Sequence, residues 1–110
     1  MANNYINAIT SLSATTATSI YTVPTAKVAI VKTVSVYNTN ASNAAALTVQ
    51  VTDTSASATT TFDKATVAAV TRKAFLQNGE VMVLDESDIL KMTAGTANYF
   101  DVFVSILEMS

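Results

Sequence analysis

The sequence predicts an all-β domain, an antiparallel β-sandwich or jelly roll of about eight short strands. Three observations point there. Val, Thr, Ile and aromatic residues dominate the apolar segments, and these types suit a pleated, half-buried surface. Clean period-2 alternation occurs in "LTVQV" and "YFDVFVSIL". Turn formers rich in Asn, Ser, Gly and Asp separate the apolar runs at short intervals.

The elements follow in order. Residues 1–13 are polar with scattered apolar side chains, and an extended N-terminal arm and a first edge strand both stand open. Residues 14–110 form the single sandwich domain. Tyr21 to Val23 ends one strand, because Pro24 has no amide proton and breaks the ladder. Residues 27–37 form the next, with Val28, Ile30, Val34 and Val36 expected on one face and Lys32 interrupting them. "NTNASN" closes it. In "LTVQV", Leu47, Val49 and Val51 share the buried face. Residues 53–61, "DTSASATTT", read as a long polar loop with an edge strand running into Phe62. "ATVAAVTRKAFL" fits a short helix or a strand, and its β-branched residues favour strand or irregular structure. "QNGE" is a turn, with Gly79 at positive φ. "VMVL" and "ILKM" are short strands around the acidic turn "DESD". "TAGTAN" leads into the last strand, where Phe100, Val102, Val104 and Ile106 form one apolar face. Its other face is mixed, so that strand is expected to be covered twice. The core residues expected are Val28, Ile30, Val34, Val36, Leu47, Val49, Val51, Val102, Val104 and Ile106.

Composition bounds the function. The chain has 110 residues, enough for one domain with a real core. Charged residues are 13% of it, about half the usual roughly 25%, so its surface relies on Thr, Ser, Ala and Asn. So few charges protect a monomer poorly from association, and small side chains cost little entropy to order. The surface is therefore expected to meet other protein chains. A net charge of −2 with no basic stripe argues against nucleic-acid binding. The first residues lack the positive and apolar regions of a secretory signal, and no apolar run has the ~18–20 residues of a membrane helix. Without cysteine there are no disulfides, and stability must come from the core or from oligomerisation.

Chemistry is sparse. There is no His, Cys or Trp, which removes the imidazole base, the thiolate nucleophile and the usual zinc ligands. With glycine only at Gly79 and Gly95, no phosphate-binding glycine loop can be written. Neither a cofactor nor an enzymatic activity is expected. Asp85, Glu86 and Asp88 offer oxygens to Ca²⁺, but the same residues make a solvated turn and lack the periodicity of a calcium loop. Pairs for glycoside hydrolysis can be drawn from Asp53, Asp63, Asp85, Asp88 and Asp101, and nothing selects one. Arg72 and Lys73, with Lys64 upstream, contact a partner or keep a strand edge from pairing wrongly. Tyr21, Tyr37, Tyr99 and Phe100 are a sugar-binding patch in one reading and core or interface residues in the other. Partner contact is placed on Tyr5 and Ile6 of the arm, on Asp53 and Thr54 of the loop, and on Arg72 and Lys73.

A resemblance extends this. "IYTVPTAKVAIVKTVSVYNTNAS" resembles a pattern of small virion proteins of tailed bacteriophages: a Tyr-Val-Pro turn, a small residue and Lys, an apolar strand, then an Asn-rich turn. "NGEVMVLDESDILKMTAG" is similar to the Gly-Glu turn, short strand, acidic turn and small-residue hairpin of that pattern. "YFDVFVSILE" is similar to its terminal strand. The likeness runs over residues 20–108, with 52–74 weakly constrained. The chain departs from it at Asp85 to Asp88, where the pattern has a Gly-Asp pair. The resemblance implies a β-sandwich structural protein of the virion. It implies first a capsid decoration or cement protein, made in the host cytoplasm, bound as a trimer on the capsid exterior to the major capsid protein. A neck, tail or fibre-base component is the other virion role. A carbohydrate-binding module is the rival from a different class. Deleting residues 1–13 is expected to abolish capsid binding and leave the fold intact.

Overall fold

A computed structural model describes residues 3–77 and 79–110. Met1 and Ala2 of the N-terminal stretch and Asn78 of the expected 77–80 turn lie outside the described residues. Nine strands are present: β1 (Asn3–Leu12), β2 (Thr18–Thr22), β3 (Val28–Asn38), β4 (Ala45–Asp53), β5 (Ala58–Val67), β6 (Arg72–Ala74), β7 (Met82–Leu84), β8 (Ile89–Ala94) and β9 (Phe100–Met109). No helix occurs among the described residues, so none is long and apolar enough to cross a membrane.

The strands form two antiparallel sheets. Sheet A runs β1-β9-β3-β6, with β7 also pairing β3, and sheet B runs β2-β8-β4-β5. This is the strand order of a jelly roll. Several strands are long rather than short; β1, β5 and β9 have ten residues and β3 has eleven. Residues 3–12, for which an arm and an edge strand both stood open, run as β1. All ten pair with β9 without a register shift. Leu12 at the end of β1 is fully buried, so removing this stretch opens the core, and the fold is not expected to survive its deletion intact.

The core lies between the sheets. The inner faces supply Val34, Val36, Leu47, Val49, Val102, Val104 and Ile106 as expected, and Val51 packs half-buried against them. Val28 and Ile30 do not join them. The β3–β9 register shifts between Val31 and Thr33, so a bulge at Lys32 changes which side chains face inward. Ala29 and Val31 are buried instead, and Val28 and Ile30 face outward, half exposed.

Residues 53–61 are a hairpin, not a long loop. Asp53 pairs with Ala58 across a tight turn, and β5 then follows β4 back. Its Thr-rich sequence hides the strand because the hairpin tip reaches past the core and is exposed on both faces.

One buried polar link crosses the core. The Tyr21 hydroxyl on β2 donates to Glu108 Oε2 on β9 at 2.5 Å, joining sheet B to sheet A. Burial, then the hydrogen bond to Glu108 and its charge, push the Tyr21 phenol above its ordinary pKa. A raised pKa in the folded state adds stability below the unfolded value of about 10, lost as pH rises toward the folded value. Tyr21→Phe should therefore cost about 1–3 kcal/mol at neutral pH, because it strands a buried acceptor. It should also remove part of the wild-type loss of stability above about pH 10. Urea unfolding at pH 7 and at stepwise higher pH checks both.

Candidate functional site

Two kinds of surface bear on function: the loops at one end of the sandwich, and the outward faces of the two sheets.

At the loop end, the acidic turn acts as a latch. Asp88 is buried, and its carboxylate is used up by main-chain donors: Oδ1 accepts from Thr54 N at 3.2 Å and Oδ2 from Asp85 N at 3.0 Å. Its own carbonyl accepts from Val23 N at 3.0 Å, and Ser87 N donates to Val23 O at 2.9 Å. Thr54 Oγ1 donates to Ser87 O at 2.6 Å. The β2–β3 link, the β4–β5 turn and the β7–β8 turn are thus tied at one point. Glu86 adds a tie by accepting from Ala26 N at 3.0 Å. The turn is therefore not wholly solvated, as the sequence suggested; Asp85 and Glu86 are exposed and Asp88 is not. Among the described residues, no three or more acidic, His or Cys side chains are grouped to hold a metal ion. A shallow open groove of about 350 Å³ lies beside this latch, between Lys27, Glu86 and Met109.

The other expected site residues do not converge. Asp53 serves its own turn, where hydrogen bonds from Ser55 Oγ and then Ala56 N hold its carboxyl below its ordinary pKa. Arg72 Nη1 donates to Ser35 Oγ at 3.1 Å on β3. The Lys73 ammonium lies 5.7 Å from the Phe75 ring centroid, a cation–π contact at the edge of the core. Both stand on β6, at the opposite edge of sheet A from Tyr5 and Ile6 on β1. Ile6 packs against the core, while Tyr5 is 78% exposed. The carboxylates are engaged locally: Asp63 accepts from Lys64 N, Asp85 from Glu86 N and Asp101 from Ser11 Oγ. The four aromatic residues do not form a sugar platform. Tyr21 and Phe100 are buried in the core, Tyr37 lies on the outer face, and the Tyr99 hydroxyl meets Asn43.

The outward faces differ sharply. On sheet B the rows read Lys64–Thr48–Thr93, Thr61–Gln50–Lys91 and Thr59–Thr52–Ile89–Thr22, which is polar and wets well. Sheet A carries two largely apolar rows on its outside, with the polar row Asn7–Ser105–Thr33 between them. One row sets Tyr5, Leu107, Ile30 and Val83 side by side across four strands. A second sets Ile9, Phe103, Ser35 and Ala74. Val83 is 64% exposed, Ile9 71% and Phe103 41%. Among the described residues nothing covers this face, and exposed apolar rows on a sheet mark a contact surface. Of its members the sequence marks only Tyr5 for partner contact, and it assigns Ile30 to the core. The signal for Phe103 and Leu107 was present in the mixed second face of β9. Ile30 was hidden by the bulge.

No protein-family model and no curated protein matches the sequence. Among solved structures, the chain is similar to a protein of Bacillus endospore appendages, which form a family of disulfide-linked pili. The TM-score is 0.59 at 12% identity, over 99% of this chain and 87% of that one. The two share a fold. It is also similar to a pentameric capsid protein isolated from metagenomic phage sequences, with a TM-score of 0.43 at 19% identity, over 94% of this chain and 61% of that one.

The latch predicts a local cost. Asp88→Ala removes the charged acceptor of two part-buried main-chain amides and should destabilise the fold by about 1–3 kcal/mol. Hydrogen exchange should show the loss first at the amides of Thr54 and Asp85.

Proposed function

We propose that this chain is a structural protein of a bacteriophage virion, a capsid decoration or cement protein that acts by binding alone and catalyses no reaction. The observation that carries this reading is the apolar outward face of sheet A. On a chain with 13% charged residues, that face is an adhesive side set against a polar one. Docked on neighbouring capsid subunits, each square ångström of apolar surface it buries contributes about 25 cal/mol before ordering costs. Several copies bound together would then leave the shell slowly. The family resemblance supplies the virion. A chain of the same fold belongs to appendages that form pili, which supports reading this fold as a subunit of an assembly. With no cysteine, the contacts of this chain are made without disulfides.

Quantitative mass spectrometry of purified particles tests the reading. Copies in a simple ratio to the major capsid protein are the expected result. A handful of copies moves the protein to the neck, tail or fibre base, and none overturns the virion assignment. The face itself is tested by Phe103→Lys combined with Val83→Lys, both outward. Binding to particles stripped of the protein should weaken by about tenfold or more, as loss of central interface side chains does. The circular dichroism spectrum should stay unchanged.

A further inference from the structure

The free edge of β1 is the exception among the strand edges of this molecule. The other edge strands carry the usual protections against pairing with another chain. β2 has five residues and a register shift, and β6 and β7 have three residues each. β5 is long, but it has a register shift and carries Asp63 and Lys64. β1 reads "NNYINAITSL": ten residues with no charge, no proline and no glycine, held straight by an unbroken register with β9. It is the last strand of sheet A, and among the described residues no strand pairs with its far side. Among the described residues, its main-chain hydrogen bonds outside the β1–β9 ladder are confined to its last residue, where Leu12 O accepts from Asn98 N.

We propose that β1 pairs antiparallel with β1 of a second copy about a two-fold axis through Asn7, joining the two A sheets into one. The sequence of β1 selects this partner and this register. Opposite residues in an antiparallel pair must share both hydrogen-bonding type and face, so a strand can meet its own copy only in registers centred on a residue. Centred on Asn7, Tyr5 faces Ile9 on the outer side, and Asn3 faces Ser11. On the inner side Ile6 faces Ala8, and Asn4 faces Thr10. From Asn3 to Ser11 every apolar residue meets an apolar one, every polar residue a polar one, and Asn7 meets itself. Centred on Ile6, Tyr5 would face Asn7 and Ile9 would face Asn3. Centred on Ala8, Tyr5 would face Ser11 and Ile9 would face Asn7. Only the Asn7 register matches throughout. It also carries the outer apolar rows across the joint, since Tyr5 of one copy continues into Ile9 and Phe103 of the other. This pairing follows from β1 alone and is independent of the virion reading.

The absence of native cysteine makes the register measurable. Asn7 is exposed and holds only a 3.3 Å hydrogen bond from Ser105 Oγ, so it can be replaced without opening the core. The two-fold pair puts its Cα about 4.5–5.5 Å from its mate, within disulfide range. Purified full-length chain should sediment as a dimer at equilibrium. Asn7→Cys should cross-link to a covalent dimer under mild oxidation. Tyr5→Cys alone should not, because its two copies stand about 13 Å apart. A mixture of Tyr5→Cys and Ile9→Cys should. Asn7→Lys, which sets like charges face to face, should raise the dimer dissociation constant about tenfold or more. A monomer, a trimer as the family resemblance implies, or cross-linking of Tyr5→Cys as fast as Asn7→Cys would overturn the proposal.

Discussion

Sheet A contains no hairpin. β1, β9, β3 and the pair β6 and β7 are neighbours in space, and none of their ladders joins strands consecutive in the chain. Everything rests on β9, which pairs along its length with β1 on one side and β3 on the other and turns Phe100, Val102, Val104 and Ile106 into the core. Asn3 pairs with Met109, so these two distant segments must meet before this sheet is complete. Loop closure over that span is paid before any contact returns it, which sets such topologies at the slow end of two-state folding, about milliseconds to seconds. Sheet B is the natural place to begin, since β4 and β5 form a local hairpin.

The few polar groups inside the protein all tie distant segments. Asn38 donates to Asn43 O and Val67 O and accepts from Asn40 N, which fastens the end of β3 to the end of β5. Asp88 does the same for three loops at the other end, and Glu108 bridges the sheets through Tyr21. No buried side-chain polar atom among the described residues lacks a partner. A core otherwise built of Val, Leu, Ile and Met carries little directional information, and these links supply it.

Most of the fold was legible where alternation runs unbroken. "LTVQV" and the last strand show their buried faces directly, because each residue's neighbour two places on does the same job. β5 was not legible, because a hairpin that leaves the core has no apolar side to display. β1 was ambiguous for a related reason: its pairing is made by the backbone, and its Asn and Ser side chains look like loop. The contact surface was the least visible. Its members lie on five strands and become one surface only when Ile30 is set beside Leu107 and Val83. The buried role of Asp88 was hidden because a carboxylate that caps two turns and one that faces water look identical in sequence.

The bulge at Lys32 has a consequence for how this surface is inherited. The first half of β3 alternates apolar residues on both sides, Val28 and Ile30 against Ala29 and Val31, so either set can serve as the buried one. What decides is the phase, and one inserted residue sets it. Two chains identical but for that single residue would exchange the adhesive and the buried sides of the strand. Substitutions can tune the stickiness of this wall, but only an insertion or deletion can turn it around.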